Sequence, residues 1–528
     1  MTTLHSTKEN LTTSWTPQQS SFFSVLESSN KSIILTAVAG SGKTTTLIEG
    51  TRHLRGSILA VAFNVKTKKI LEERISNVAV CKTMNGLGHG ALKRLLSRNP
   101  TIDSTKTRKI IKSFLDTPEW EDLWPHFSTI SGLVARAKNH GLVPNFPSPT
   151  HPPGNGLLPD IDKSWENLAA HYDLAMSPRI LHICRAVLIQ SITDTFQKAE
   201  CDFDDQIYIP TCWGAPFDKF DNILVDEAQD LSEIQHKMLR RAIRLTGRLI
   251  AVGDQNQAIY GFRGAKNNSI QQLGETFSME EMALTVSFRC SKAVVAEAQA
   301  IVPRIESYSE AEVGSVTTLD EWDAEIFSDG DVILCRNNAP LIKTAYKLIA
   351  RGRGVHVIGR DIGAGLKRLV KSLVGEDPQI PNKDLRTALD AWFKTASSNA
   401  QAKEQLSKLQ TITDKYESLE AVIEFSNTTT VSALLLSIDQ LFGKESAPIT
   451  LSSIHKAKGL EWPRVFFLDV FLIPSRFATK AFHENPELYE WMIQEEKNIL
   501  YVGITRAQRD FTYIKSKDFE KEEPRHEI

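Results

Sequence analysis

Short continuous apolar runs, each bounded by small or polar residues, recur along this chain, with stretches of helical periodicity between them. Residues 32–35, 58–63, 78–82, 222–225 and 248–252 read as buried strands in the first half. Residues 284–291, 331–337, 355–359, 449–453, 464–469 and 510–514 repeat the theme in the second. Between them apolar positions fall at 3.6-residue spacing, as at Phe22, Phe23, Val25 and Leu26, and predict helices. Uninterrupted apolar runs suit strands covered on both faces, so the alternation predicts parallel sheets flanked by helices.

Two long stretches break the alternation. From 88 to 200 and from 361 to 446 helical periodicity takes over, which predicts a helical insertion in each of two α/β units. The first unit then comprises 15–87 with 201–283, and the second 284–360 with 447–516; 1–14 and 517–528 read as flexible tails. Six prolines between 144 and 159 mark a surface loop. Two basic clusters, Lys106, Arg108, Lys109 and Lys112 and then Lys237, Arg240, Arg241 and Arg244, read as solvated helix faces.

Composition narrows the class without choosing a partner. The 528 residues carry a net charge of −2, so any nucleic-acid site must be a local groove and not a basic surface. The six cysteines form no CxxC pair, which fits reduced thiols. No stretch has the length of a membrane span and the polar start lacks a signal-peptide core, so no membrane partner and an intracellular, non-secreted protein are expected.

Candidate chemistry concentrates after the first strand. Ala39, Gly40, Ser41 and Gly42 carry little side chain, so consecutive backbone N–H groups can face phosphate oxygens at a helix N-terminus. Lys43 adds a charge for the outer phosphates and Thr44 a hydroxyl for Mg²⁺, with Thr45 beside it. Ala37 stands where the strict pattern has glycine. The run 222–230 ends in Asp226, placed to hold Mg²⁺ through water, and Glu227, placed to orient or deprotonate an attacking water. Then come Gln257, suited to sensing a terminal phosphate, and Tyr260 and Phe262, aromatics able to stack bases or to fill a core. Arg289 and Arg506 are isolated arginines of the second unit, able to reach transition-state charge across a closing cleft.

These segments, in this order, resemble the UvrD/Rep/PcrA branch of superfamily 1 DNA helicases, with some likeness to the F-box DNA helicase group. The resemblance implies two RecA-like P-loop NTPase domains and ATP with Mg²⁺ as cofactors. By the family's motifs, Gln19 reads adenine, Phe288 stacks on it, Arg289 and Gln257 meet the γ-phosphate, Gly459 and Glu461 lie toward the ribose, and Arg506 is the finger. Tyr260, Phe262, Arg263 and His455 face DNA, as do Phe63, Asn64, Thr83 and Asn85 at motifs that depart from the usual TFTNKAA and TFHS. Lys497, Asn498 and Ile499 stand where the family often has arginines. The implied partners are single-stranded DNA, tailed or forked duplex, and replication or repair proteins. The expected activity is 3′-to-5′ translocation with strand displacement; the alternatives are a DNA-stimulated ATPase that remodels nucleoprotein complexes and a P-loop phosphotransferase.

Overall fold

A computed structural model describes residues 15–145, 154, 156–172, 174–259, 269–375, 379–401, 406–443 and 446–516. The two expected tails, Tyr260, Phe262, Arg263 and most of the proline-rich loop lie outside the described residues.

The first lobe is built on β1 (Ile33–Ala37), β2 (Ile58–Ala62), β3 (Val80–Thr83), β4 (Phe220–Val225), β5 (Ile243–Gly253) and β6 (Glu280–Leu284). They lie side by side in the order β6-β1-β5-β4-β2-β3, every pairing parallel. All positions of β1 and β2 are buried, and alternate residues serve opposite faces. Ile34, Leu59, Val61 and Val225 join one core with Leu87 and Leu239, while Ile33, Leu35, Ala60 and Leu224 join the other with Phe22, Leu26 and Leu47. That is why these strands are unbroken apolar runs.

The second lobe holds β7 (Ser315–Leu319), β8 (Val332–Cys335), β9 (Val355–Ile358), β10 (Ile449–Ser453), β11 (Trp462–Leu468) and β12 (Ala507–Ile514). Their order is β7-β12-β11-β8-β10-β9, again parallel throughout. The architecture is the expected pair of RecA-like α/β lobes.

Two edge strands went unforeseen. In β6, Glu280 and Glu281 are exposed and only Leu284 is buried, and β7 has no fully buried position, so neither shows an apolar run. The segment 284–291, expected to start the second sheet, instead closes β6, and its Val286–Ser287 pairs with Glu306–Ser307 outside both large sheets.

Helices Lys106–Leu115, Phe127–His140, Asp162–His171 and Pro178–Lys198 lie between β3 and β4; helices Arg360–Val374, Asn382–Gln401, Leu406–Phe425 and Val431–Phe442 lie between β9 and β10. Of the basic clusters, Arg108, Lys109, Lys112, Arg240 and Arg244 are exposed, while Lys106 and Arg241 turn inward. Lys106 is buried against Asp205, 2.7 Å away. Arg241 donates to the carbonyls of Thr211 and Ala215 and covers the Phe217 ring. Both side chains bury an apolar stem and satisfy the charged end inside.

Candidate functional site

The chain leaves β1 through 38–42 and enters helix α1 (Lys43–Gly50) with Gly40 and Gly42 at φ +73° and +75°, a conformation glycine adopts without a steric penalty. At Gly40 there is no room for more: a Cβ there would lie 2.5 Å from that of Arg289. The Ala39 N–H donates to the Tyr501 hydroxyl at 2.9 Å. Among the described residues the buried Ser41 Oγ has no hydrogen-bond partner.

Lys43 and Thr44 meet the two acids at the end of β4. Lys43 Nζ lies 3.1 Å from Glu227 Oε2, and the Thr44 hydroxyl donates to Asp226 Oδ2 at 2.5 Å. Burial opposes the Lys43 charge, but the carboxylates of Glu227, Asp254 and Asp226 outweigh it and raise the pKa. Burial and the neighbouring Glu227 push the Asp226 carboxyl up. For Glu227 burial is overcome by Lys43 and then Lys458, which hold it below the usual carboxylate range, helped by a 2.5 Å bond from Gln229 Nε2. One acid of the pair is therefore kept ionised.

The opposite wall comes from the second lobe. Arg506 is 1% exposed; its Nε donates to the Val502 carbonyl at 3.0 Å, Nη1 to the Leu460 carbonyl at 3.1 Å and Nη2 to Gln257 Oε1 at 3.5 Å. Gln257 Nε2 in turn donates to Asp254, 2.7 Å away, the buried acid that lifts Lys43. Burial and the adjacent Arg289 lower the Arg506 pKa to about 10. Arg289 is ion-paired with Glu461, the residue assigned to the ribose by resemblance, which also accepts from Gln508 at 3.1 Å. Gly459, at φ +84°, has open space around it.

On the base side, Gln19 is buried in a capping box with Thr16 and donates to Thr46 Oγ1 at 2.8 Å. Its amide keeps one N–H and one lone pair for a base edge. A Cβ on Gly42 would lie 3.8 Å from Gln19 Nε2 and 4.0 Å from Phe288 Cδ2, so both expected base contacts border the cradle. Phe288 is 43% exposed and Thr45 is exposed on the first turn of α1.

Of the residues expected at DNA, four gather where β2 and β3 end. Phe63 is exposed, Asn64 and Thr83 cap the helices that follow, and Asn85 donates to the Phe203 carbonyl at 2.7 Å. Phe203, 56% exposed, was missed; its only signal was an aromatic among the acids of 202–205. His455 follows β10 and lines a separate 620 Å³ cleft with Arg336, Tyr416, Arg476 and Trp491. Also missed were the ties between lobes: Lys458 Nζ lies 2.7 Å from Asp230, and Asn498 Nδ2 donates to the carbonyls of Ala258 (2.9 Å) and Gln255 (3.2 Å).

Comparison with known proteins matches residues 15–278 to the UvrD/REP helicase N-terminal domain and 381–518 to the UvrD-like helicase C-terminal domain. The chain belongs to the UvrD-like DNA helicase family. This UvrD-like chain is 22% identical to DNA helicase II of Haemophilus influenzae, over 93% of its own length and 83% of that protein's. It is 25% identical to F-box DNA helicase protein 1 of Schizosaccharomyces pombe, over 90% of its length and 54% of the relative's. A solved structure of the arterivirus nonstructural protein 10 helicase aligns with a TM-score of 0.33 at 12% identity, covering 94% of this chain and 62% of that one.

The donor set of this UvrD-like site suits a nucleoside triphosphate with Mg²⁺. Thr44 and Asp226 offer hard oxygens, the orphaned Ser41 hydroxyl faces no protein partner, and Lys43 lies between. Among the described residues no group of three His, Cys, Asp or Glu could hold a metal ion alone. No described helix is long and apolar enough to cross a membrane.

Proposed function

We propose that this chain is an ATP-dependent DNA helicase that moves 3′-to-5′ along single-stranded DNA and displaces the complementary strand. One observation carries the reading: Arg506 of the second lobe donates to Gln257 of the first, and Gln257 donates to Asp254, whose charge bears on Lys43. Charges from both lobes then bear on one nucleotide, and closing the cleft and cleaving the nucleotide become one event.

In this reading the backbone N–H groups of Gly40 and Gly42 and the Lys43 side chain hold the phosphates, the Ala39 N–H being taken by the Tyr501 hydroxyl and that of Ser41 by the Val38 carbonyl, and Gln19 and Phe288 hold the base. Mg²⁺, held by Thr44 directly and by Asp226 through water, would neutralise charge on the β- and γ-phosphates. Glu227, kept ionised by Lys43 and Lys458, orients the water and accepts its proton as the water oxygen bonds to the γ-phosphorus. The bond to the β,γ-bridging oxygen breaks, leaving ADP and phosphate. Arg289 and Arg506 face the charge on the moving phosphoryl group, a role worth about 10³ to 10⁵ in rate. In that step Arg289 exchanges Glu461 for phosphate.

Single-stranded DNA would meet the strand ends at Phe63, Asn64, Thr83 and Asn85, and by resemblance to the family's motifs also Tyr260, Phe262, Arg263 and His455. Polarity rests on the segments at 259–265 and 458–461, which resemble those of 3′-to-5′ members of the family. Tailed and forked duplexes are the proposed substrates, with replication or repair proteins as partners; the six buried cysteines, none in a disulfide, suit a reducing intracellular setting.

The short second insertion favours a second reading, a single-strand-stimulated ATPase that remodels nucleoprotein complexes and unwinds little. Its helices are pinned to the second lobe: Phe477 packs on Ala400, Leu409 and Ile412. Strand displacement on 3′- and 5′-tailed duplexes separates the readings. Displacement of the 3′-tailed substrate alone supports the helicase, while strand-stimulated hydrolysis with neither duplex opened selects the remodeller.

A further inference from the structure

Tyr308 stands beside Phe288 with ring centroids 5.1 Å apart and planes inclined by 44°. At that separation the rings touch each other, so no nucleobase fits between them. Any base stacked on Phe288 must use the remaining exposed surface of its ring, 43% of the residue being exposed. The tilt of that surface depends on what the ring leans against.

The backbone fixes Tyr308 in place independently of its ring. Its N–H donates to the Ser287 carbonyl at 3.1 Å and the Glu306 N–H to the Thr285 carbonyl at 2.8 Å, extending the parallel pairing of Val286 with Glu306 and Ser287 with Ser307. Side chains add a second tie. Gln18 Nε2 donates to Thr285 Oγ1 and Gln18 Oε1 accepts from the Thr285 N–H, both at 2.9 Å; Thr285 Oγ1 donates to Glu306 Oε1, also at 2.9 Å. The helix bearing Gln19, the segment bearing Phe288 and the segment bearing Tyr308 are thereby fastened together. The Phe288 N–H closes the arrangement on the Gly40 carbonyl of the cradle at 2.9 Å.

We propose that Tyr308 is the positioning residue of the nucleobase subsite: its contact with Phe288 fixes the face on which the base of ATP stacks. The inference rests on the reading above that places adenine against Phe288. It assigns to Tyr308 an effect on how the base is held, leaving phosphate binding and hydrolysis to the cradle and the acids.

The test compares Tyr308→Ala, Tyr308→Phe and Phe288→Ala with the parent chain. ATP hydrolysis is followed with saturating single-stranded DNA, and inorganic tripolyphosphate serves as a competitor that has no base. Tyr308→Ala should raise KM for ATP about three- to tenfold, the value of one aromatic contact, with kcat within about twofold. Tyr308→Phe should restore KM, and tripolyphosphate should inhibit all variants equally. If Phe288→Ala raises KM but Tyr308→Ala does not, the positioning role is wrong while adenine on Phe288 stands. If neither substitution moves KM, the base site is elsewhere and both ideas fail. Weakened tripolyphosphate inhibition in step with KM would make Tyr308 a support of the whole cradle, which also overturns the proposal.

Discussion

Glu227 sits at φ +55°, a left-handed conformation that costs a side-chain-bearing residue about 1–3 kcal/mol and persists where surrounding structure enforces it. Here the enforcers are Lys43 and Gln229, which keep the carboxylate ionised at the cradle, and Asp226, whose Oδ1 accepts the Glu227 N–H. Glu227→Gln should therefore lower kcat by about 10² to 10⁴ while leaving ATP affinity near the parent value. Steady-state hydrolysis and titration with a fluorescent nucleotide check this, and parental turnover would remove Glu227 from the chemistry. Gly40→Ala forces a Cβ against Arg289 and Ser287 Oγ, so it should weaken nucleotide binding by about tenfold or more, measured by the same titration. The cradle and its acids were legible because each occupies one short segment with a fixed spacing. The pairing of Glu461 with Arg289 was not legible because the two lie far apart in sequence, and a motif does not record which charge a carboxylate meets.

The first insertion shows the same limit at the level of whole helices. Lys106 and Lys138 come from two helices and meet Asp202 and Asp205 at the start of a third, with Lys138 Nζ 3.0 Å from Asp202 and 2.8 Å from Asp205. Periodicity identified the helices but placed Lys106 on a solvated face, because a charged residue announces burial only through its partner. Breaking such a network strands a buried charge, so Lys138→Met should cost about 3–5 kcal/mol and lower Tm in a melting curve. The pH dependence follows from Asp202, whose burial is outweighed by Lys138 and Thr107 so that its folded pKa lies below the unfolded one. That contribution is complete above about pH 4, the unfolded carboxylate value, and is lost as pH falls through the folded pKa. Urea unfolding of the parent chain should therefore weaken in acid below about pH 4 more steeply than that of Lys138→Met. Parallel curves would show that the ion pair does not carry the effect. At the sheet edges β6 and β7 were hidden for a different reason: strands half open to water need no apolar run.

Across the molecule the two lobes meet through groups that no local pattern links. Val38 and Ala39 of the cradle pack in one cluster with Val294, Tyr501 and Val502, so the phosphate loop is itself part of the boundary between lobes. Asn498 stands where arginines are usual in the family and still ties its helix to the Gln255 and Ala258 carbonyls. Asn498→Ala should leave hydrolysis without DNA within about twofold of the parent and reduce its stimulation by single-stranded DNA, since a lost neutral hydrogen bond weakens coupling between lobes more than the chemistry. Equal loss with and without DNA would place Asn498 in the catalytic step. The central claim is that the second lobe supplies charge to a nucleotide held by the first. Single-turnover hydrolysis of bound ATP by Arg506→Met tests it most directly, because methionine keeps an apolar stem in the buried site and removes the charge. The rate should fall by about 10² or more with ATP still bound; an undiminished rate would show that the cleft does not join the two lobes in catalysis.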